Sequence, residues 1–418
     1  MQLRIAADTA LGIGGGTLTS EPHTMFVTKV IGDCPGCGGT KCFGNVSVHE
    51  TVLRGCTRCN YRSNIWLPEI RKKVIYLDQF FFSGALRGGD PRFTEAAHKV
   101  RELCHLQLLV SPYSSVHEDE TRQWRGHGGM SSEQLMDFIK DTARGAEFVK
   151  DYAVEQAQVL KAWKSFLNGQ SSQYACEDRD ALQGSLDSWD DYFRIDVGGY
   201  TRDVELKRRL KKETVDILVK EFDRWQVSTQ TFEQAVALEI HDAGKAYVNS
   251  YVAKIKRFAE GDIGAAIDSP MNSMMVEYMM HWLEDSRPIE DRLKRCIEYF
   301  KSSHFAQVPS IWLESHIYGT LREMVKLGAF SNRDDARQRL FGVFEDISHI
   351  SLYAPYCDAI VIDNFMADLV GKPTVALGER YGVKVFSLNS WDALLAWLHS
   401  LEAQMSEEHR AAVAAAYP

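Results

Sequence analysis

The sequence predicts an α/β protein: a parallel sheet flanked by helices, interrupted by a large α-helical insertion and preceded by a small cysteine-bearing ribbon. Three observations carry this expectation. Short β-rich runs that end in aspartate alternate with helix-period segments, first near residues 72–122 and again towards the carboxyl end, and such alternation is the pattern of a parallel sheet. Two Cys-x-x-Cys pairs lie near the amino end. Between the two alternating regions, residues 131–330 read as successive amphipathic helices without an internal repeat.

Composition narrows the class. With 45% hydrophobic and 25% charged residues, the chain can bury a sizeable core and is not a disordered protein. No apolar run reaches the roughly 18 residues that span a bilayer. The first residues break at Asp8, too early for the apolar stretch of a signal peptide, so a soluble, cytoplasmic protein is expected. The net charge of −9 argues against coating nucleic acid by charge alone, since that affinity comes from counterions displaced by a basic surface. It leaves room for a nuclease, whose acidic metal ligands add to the negative sum. Nine cysteines, spread from Cys34 to Cys357, disfavour a disulfide framework in such a chain.

The ribbon comes first in the chain. Cys34-Pro-Gly-Cys37 and Cys56-Thr-Arg-Cys59 are separated by eighteen residues, the spacing of a zinc site. Each Cys-x-x-Cys turn aims two thiolates at one centre, and two turns on adjacent hairpin tips complete a tetrahedron. Asn45–Leu53 alternates as a ribbon strand requires. Cys42 is the spare. Four sulfurs leave no open position for water, so the expected zinc is structural.

The sheet follows. Lys72-Lys-Val-Ile-Tyr-Leu-Asp78 reads as a buried strand with a carboxylate at its end. A helix is expected over 94–104, a second strand over Leu106–Val110, and then, within Ser111–Thr121, a turn with a serine N-cap and a helix that opens with acidic residues, Glu118 and Glu120 among them. Near the carboxyl end, 337–350 is helical by spacing and holds Asp346 and His349. Tyr356–Asp363 is another strand ending in aspartate, Tyr381–Ser387 a further strand, and Trp391–Leu401 a closing amphipathic helix. In such sheets the ligand site lies beyond the carboxyl ends of the strands. Asp78, Glu120 and Asp363 are therefore expected at one edge, with Asp346 on a neighbouring helix. Clustered carboxylates repel unless a cation compensates, and hard divalent ions prefer oxygen ligands. His117 and His349 read as hydrogen-bonding helix residues.

Taken together, Val74-Ile-Tyr-Leu-Asp78, Ser114-Ser-Val-His-Glu118-Asp-Glu120-Thr, and Asp346-Ile-Ser-His349 followed by Ala354-Pro-Tyr-Cys-Asp358-Ala-Ile-Val-Ile-Asp363-Asn resemble PIN-domain ribonucleases. The resemblance covers residues 72–122 and 335–400. It implies that Asp78, Glu120, Asp346 and Asp363 hold one or two Mg²⁺ or Mn²⁺ ions and that the chain is an endoribonuclease. Glu118 is the alternative to Glu120, and Asp358 is a candidate fifth member. Gln79 and Phe80 replace the small polar residues often found after the first aspartate of that family, leaving Ser83 to supply a hydroxyl. The implied organisation is a segment 1–70 with the ribbon at about 30–66, a first half of the PIN-like domain at 71–130, the helical insertion at 131–330 and a second half at 331–418.

Within the insertion, helices are expected over 133–168, 203–225, 229–260, 271–283, 288–302 and 309–328. They offer a surface for a partner protein or a second copy of the chain. The basic runs Lys207–Lys212 and Arg71–Lys73 read as solvated faces that could also track a phosphate backbone. Arg122 and Trp124 could stack a base. Two alternatives to an RNA nuclease stand: a catalytically silent scaffold that binds nucleic acid or a protein, and the same chemistry on DNA.

Overall fold

The structure is a computed structural model that describes residues 25–124, 126–190, 222–268, 270–283, 286–330, 335, 340 and 342–418. The basic run Lys207–Lys212 and most of the helix expected at 203–225 lie outside the described residues. The chain divides into two compact units. One contains the described residues up to Pro68, residues 189–190 and Ala411–Pro418; the other contains Glu69–Ser188 and the described residues from 222 to Arg410.

The smaller unit is an antiparallel meander of four strands, β1 (Lys29–Gly32), β2 (Phe43–Val48), β3 (Thr51–Cys56) and β4 (Arg62–Trp66). Its inner face is pinned by Asn45, fully buried, whose Nδ2 donates to the Ala416 carbonyl at 2.7 Å. Arg54 donates to the Ala415 carbonyl beside it. These bonds satisfy carbonyls at the end of the last helix, which have no partner within it.

The larger unit is built on a parallel sheet in the order β6-β5-β7-β8, formed by β5 (Lys73–Leu77), β6 (Leu109–Val110), β7 (Ala359–Val361) and β8 (Lys384–Phe386). Alternation along β5 explains why both faces are covered. Val74 and Tyr76 enter one core with Leu313, Ile317, Ile347 and Ile350. Ile75 and Leu77 enter another with Phe81, Phe82, Val100 and Leu394. A strand buried on both sides reads as an unbroken apolar run, which is how Val-Ile-Tyr-Leu appears. Helices α1 (Gln79–Arg87), α2 (Pro91–His105) and α4 (Ser132–Ala143) supply the second core, along with Trp391–Ala403. The first is supplied by helices Pro309–Lys326 and Val343–Tyr353. A third, aromatic core of Trp163, Tyr247, Tyr299, Phe300 and Phe305 joins the helices of the middle region.

Two local expectations change. The segment 133–168 is two helices, α4 and α5 (Asp151–Leu167), because Arg144 and Gly145 both take positive φ, 51° and 68°. The left-handed cap ends α4 there, and Gly145 adopts that conformation at no steric cost. The second strand is also shorter than Leu106–Val110: Gln107 has φ 60°, so only Leu109 and Val110 pair.

Candidate functional site

The four predicted cysteines converge. Cys34 and Cys37 lie in the turn after β1, Cys56 ends β3 and Cys59 lies in the turn that follows it. Their sulfurs all lie within 4.8 Å of one another. Cys34 Sγ is 3.6 Å from Cys59 Sγ, and Cys37 Sγ is 3.8 Å from Cys56 Sγ. A tetrahedron with Zn–S bonds of about 2.3 Å has edges of about 3.8 Å, so the sulfurs are spaced for a metal such as zinc. Backbone N–H groups aim at them: Gly36 at Cys34 (3.3 Å) and Arg58 at Cys56 (3.2 Å).

Cys42 is outside the four but touches them, with its sulfur 3.5 Å from Cys56 Sγ, and it donates to the Gly39 carbonyl at 3.1 Å. Burial pushes the Cys42 thiol up to about 11, with Cys56 adding to the effect. Burial acts on Cys56 in the same direction, but the donors from Arg58 and Cys42 outweigh it and bring Cys56 down to about 6.

The second site lies at the carboxyl ends of β5 and β7. These two strands pair with Leu77 opposite Val361, so Asp78 and Asp363 both lie just beyond the carboxyl ends of adjacent strands, each at the N-cap of the helix that follows. In the order β6-β5-β7-β8 the chain winds outward from β5 in one direction and then crosses back to the other side. The gap between β5 and β7 is therefore the topological switch point, where open α/β sheets form their ligand crevice. A narrow cleft lies there, lined by Tyr76, Asp78, Asp346, Ile350, Ile362, Asp363 and Met366. Asp346 comes from the first turn of helix Val343–Tyr353, the positive end of its dipole.

Carboxylates crowd this cleft. Burial pushes the Asp78 carboxyl up to about 7, and the neighbouring Asp363 charge adds to it against the nearby Gln79 and Phe80 amides. The Asp78 side chain makes no capping hydrogen bond. Asp363 does cap its helix, with Oδ1 accepting from Phe365 N–H (2.7 Å) and Met366 N–H (3.0 Å). Tyr76 was not among the expected site residues, since within an apolar run it reads as core. Burial holds its hydroxyl well above the ordinary phenol value, and the charges of Asp78, Glu120 and Asp346 reinforce this. The same interactions place Glu120 within electrostatic reach of the cleft.

The other candidates go elsewhere. Glu118 lines a separate pocket with Thr121, Arg122, Ser132, Glu133 and Met136, as expected for residues two apart on a helix, which point about 200° away from each other. Asp358 requires correction as a fifth member. It precedes β7 instead of ending it, at the amino edge of the sheet, where it accepts from Lys73 Nζ (2.8 Å) and Val74 N–H (2.8 Å). Five residues of nearly extended chain, about 16 Å, separate it from Asp363. Ser83 donates to Phe80 O within α1 (3.2 Å). His117 Nδ1 accepts from Ser114 N–H (2.9 Å) and its Nε2 donates to Leu77 O (2.7 Å). Burial brings His117 down to about 4, so it is a neutral structural link between β5 and α3 (Ser115–Gln123). The basic run at 71–73 is absorbed as well: Arg71 pairs with Asp178 and Asp187, Lys72 is buried and Lys73 pairs with Asp358. Trp124 packs at the margin of the core that contains α1 and α2.

Among the described residues, no helix is long and apolar enough to cross a membrane. Compared with protein-family models, with curated proteins and with solved structures, the chain matches none of them.

Proposed function

We propose that the protein is a metal-dependent endonuclease with a PIN-like domain, hydrolysing phosphodiester bonds in RNA at the cleft between β5 and β7. The observation that carries this reading is the meeting of Asp78, Asp346 and Asp363, from three separate elements, at the switch point of a parallel sheet. The donor set suits Mg²⁺ or Mn²⁺, which take carboxylate oxygens together with water and substrate phosphate. When bound, such an ion supplies activation of the attacking water and stabilisation of the leaving oxygen.

The chain's own residues do the rest. Asp78 and Asp363 would hold the ion from adjacent strand ends with Asp346, and the charge of Glu120 would favour the dication. The carboxylate of Asp363 is fixed by two amide donors, so its second oxygen has a set direction. Tyr76, a phenol and not a phenolate, presents a donor at the floor of the cleft. The four cysteines would hold a structural zinc that folds the ribbon.

The test is cleavage of a single-stranded RNA in millimolar Mn²⁺. Asp78→Asn and Asp363→Asn are each expected to lose at least about 100-fold in rate, equivalent to roughly 3 kcal/mol of transition-state stabilisation. Undiminished cleavage by both variants refutes the assignment. Parallel assays with single-stranded DNA decide the substrate.

One observation favours a second reading, a catalytically silent scaffold. Among the described residues, the cysteines are the one group of three or more metal-ligating side chains whose donor atoms all come within 4.8 Å; the carboxylates stand further apart. A scaffold would show no divalent-dependent hydrolysis at any metal concentration.

A further inference from the structure

A second cleft lies at the opposite, amino edge of the parallel sheet. It has a volume of about 490 Å³ and is lined by Gln173, Tyr174, Cys176, Gln307, Pro355, Arg380 and Tyr381, within the roughly 300–1,000 Å³ typical of small-molecule pockets. Pro355 precedes β7, and Arg380 and Tyr381 precede β8. Nothing in the proposed nuclease chemistry uses this cleft.

Its distinctive element is Arg380. The guanidinium lies 3.7 Å from the centroid of the Trp312 ring, and Trp312 in turn stacks on His316 with centroids 3.7 Å apart. Nη2 donates to Gln307 Oε1 at 2.6 Å and Nε donates to the Tyr381 hydroxyl at 3.2 Å. The group is therefore held flat by an indole, an amide and a phenol, all neutral. Arg380 makes no ion pair among the described residues. Other arginines of this chain differ: Arg71, Arg92, Arg257 and Arg295 each meet a carboxylate. The nearby Lys161 is already neutralised by Glu177 and Asp180.

The remaining lining groups carry no charge near neutral pH. Burial pushes the Cys176 thiol up to about 12 and the Tyr381 phenol up to about 12. A preorganised guanidinium fork without a carboxylate, in a concave site, matches an incoming oxyanion in two-point geometry. Gln173 and Gln307 add amide donors beside it, and Tyr174 and Tyr381 offer flat apolar surface for a ring.

We infer that this cleft binds a small phosphorylated ligand carrying a planar ring, of the class of nucleoside monophosphates, with Arg380 holding the phosphate and the tyrosines the ring. The inference stands apart from the nuclease reading, since it concerns binding at the other end of the sheet.

The experiment is calorimetric titration of the full chain with uridine 5′-monophosphate and adenosine 5′-monophosphate, alongside uridine and inorganic phosphate. At least one nucleotide is expected to bind, and at least tenfold more tightly than either uridine or phosphate alone. Arg380→Lys keeps a charge but loses the stack and the fork, and is expected to weaken binding at least tenfold. Gln173→Ala, at an exposed position that does not support folding, is expected to weaken it severalfold. Absence of nucleotide binding, equal binding of uridine, equal binding of inorganic phosphate, or unchanged affinity in both variants would each overturn the inference.

Discussion

Asparagine at position 78 is expected to stabilise the protein when no divalent ion fills the cleft. The Asp78 carboxyl sits near 7 in the folded chain against 3.8 for an unperturbed aspartate. Its folded value is the higher one, so the folded chain retains a proton that the unfolded chain has lost between those two points. The associated stability is present in full below about pH 4 and is lost as pH rises through 7. A gap of about three pH units corresponds to a loss of about 4 kcal/mol above pH 7, taken as a ceiling. Asparagine removes the charge but also the weak attraction to the Gln79 and Phe80 amides, so about half of that, roughly 2 kcal/mol, should be recovered. For a unit of more than 300 residues that is a rise of about 3 °C in Tm at pH 8. The assay is thermal unfolding at pH 5 and pH 8 in divalent-free buffer without chelator, so that the cysteine site keeps its metal. Wild type should lose stability between pH 5 and 8 and regain it with millimolar Mn²⁺, while Asp78→Asn should melt higher at pH 8 and ignore Mn²⁺. A variant that melts at or below wild type at pH 8 and still responds to Mn²⁺ would falsify the reasoning.

Four further outcomes are expected. Asp363→Asn should abolish cleavage yet keep the fold, because asparagine caps a helix as well as aspartate does, whereas Asp363→Ala should cost about 1 kcal/mol in urea unfolding. Tyr76→Phe should leave the melting temperature within about 1 kcal/mol equivalent and lower kcat more than it changes KM, since only the hydroxyl at the cleft is lost; equal kcat removes Tyr76 from the site. Elemental analysis should find one zinc per chain, retained in Cys42→Ser and lost in Cys34→Ser, with the ribbon unfolding in the latter. Asp358→Asn should leave cleavage unchanged and cost no more than about 1 kcal/mol, because its partner Lys73 is half exposed.

How much of this was legible depends on whether a residue's signal is local. The cysteine pairs are local: spacing within each turn fixes where the two sulfurs point, and the ribbon between them is short. Asp78 and Asp363 were legible because an acidic residue closing an apolar run marks the end of a strand and the start of a helix. Asp358 was misassigned because Cys357 and Asp358 adjoin the same apolar run at its other end, and strand direction within the sheet decides which edge each end occupies. The choice between Glu118 and Glu120 needs the rotation of α3 about its axis, which the packing of Val116 and His117 sets and a helical pattern alone does not. Tyr76 and Arg380 could not be found from local pattern, since one looks like core and the other like an ordinary surface charge.

The pair at the strand ends is the strongest argument that the larger unit serves a ligand. An N-cap position is filled at least cost by a side chain that bonds to the helix amides, and Asp363 does so. Asp78 occupies the equivalent position one strand over without a capping bond of that geometry, and burial and Asp363 oppose its charge more than the Gln79 and Phe80 amides favour it. Asparagine or serine would cap α1 without that opposition. Two basic side chains that precede Asp78 in sequence, Arg71 and Lys73, are committed to Asp178, Asp187 and Asp358. A destabilised carboxyl at the crevice of the sheet, with a second acid beside it, is the feature on which the proposed cation site rests. The same reasoning applies in mirror image to Arg380, a cation held by neutral partners at the other edge. On the two proposals, a cation would answer the acids at the carboxyl edge of the sheet, and an anion would answer the Arg380 guanidinium at the amino edge.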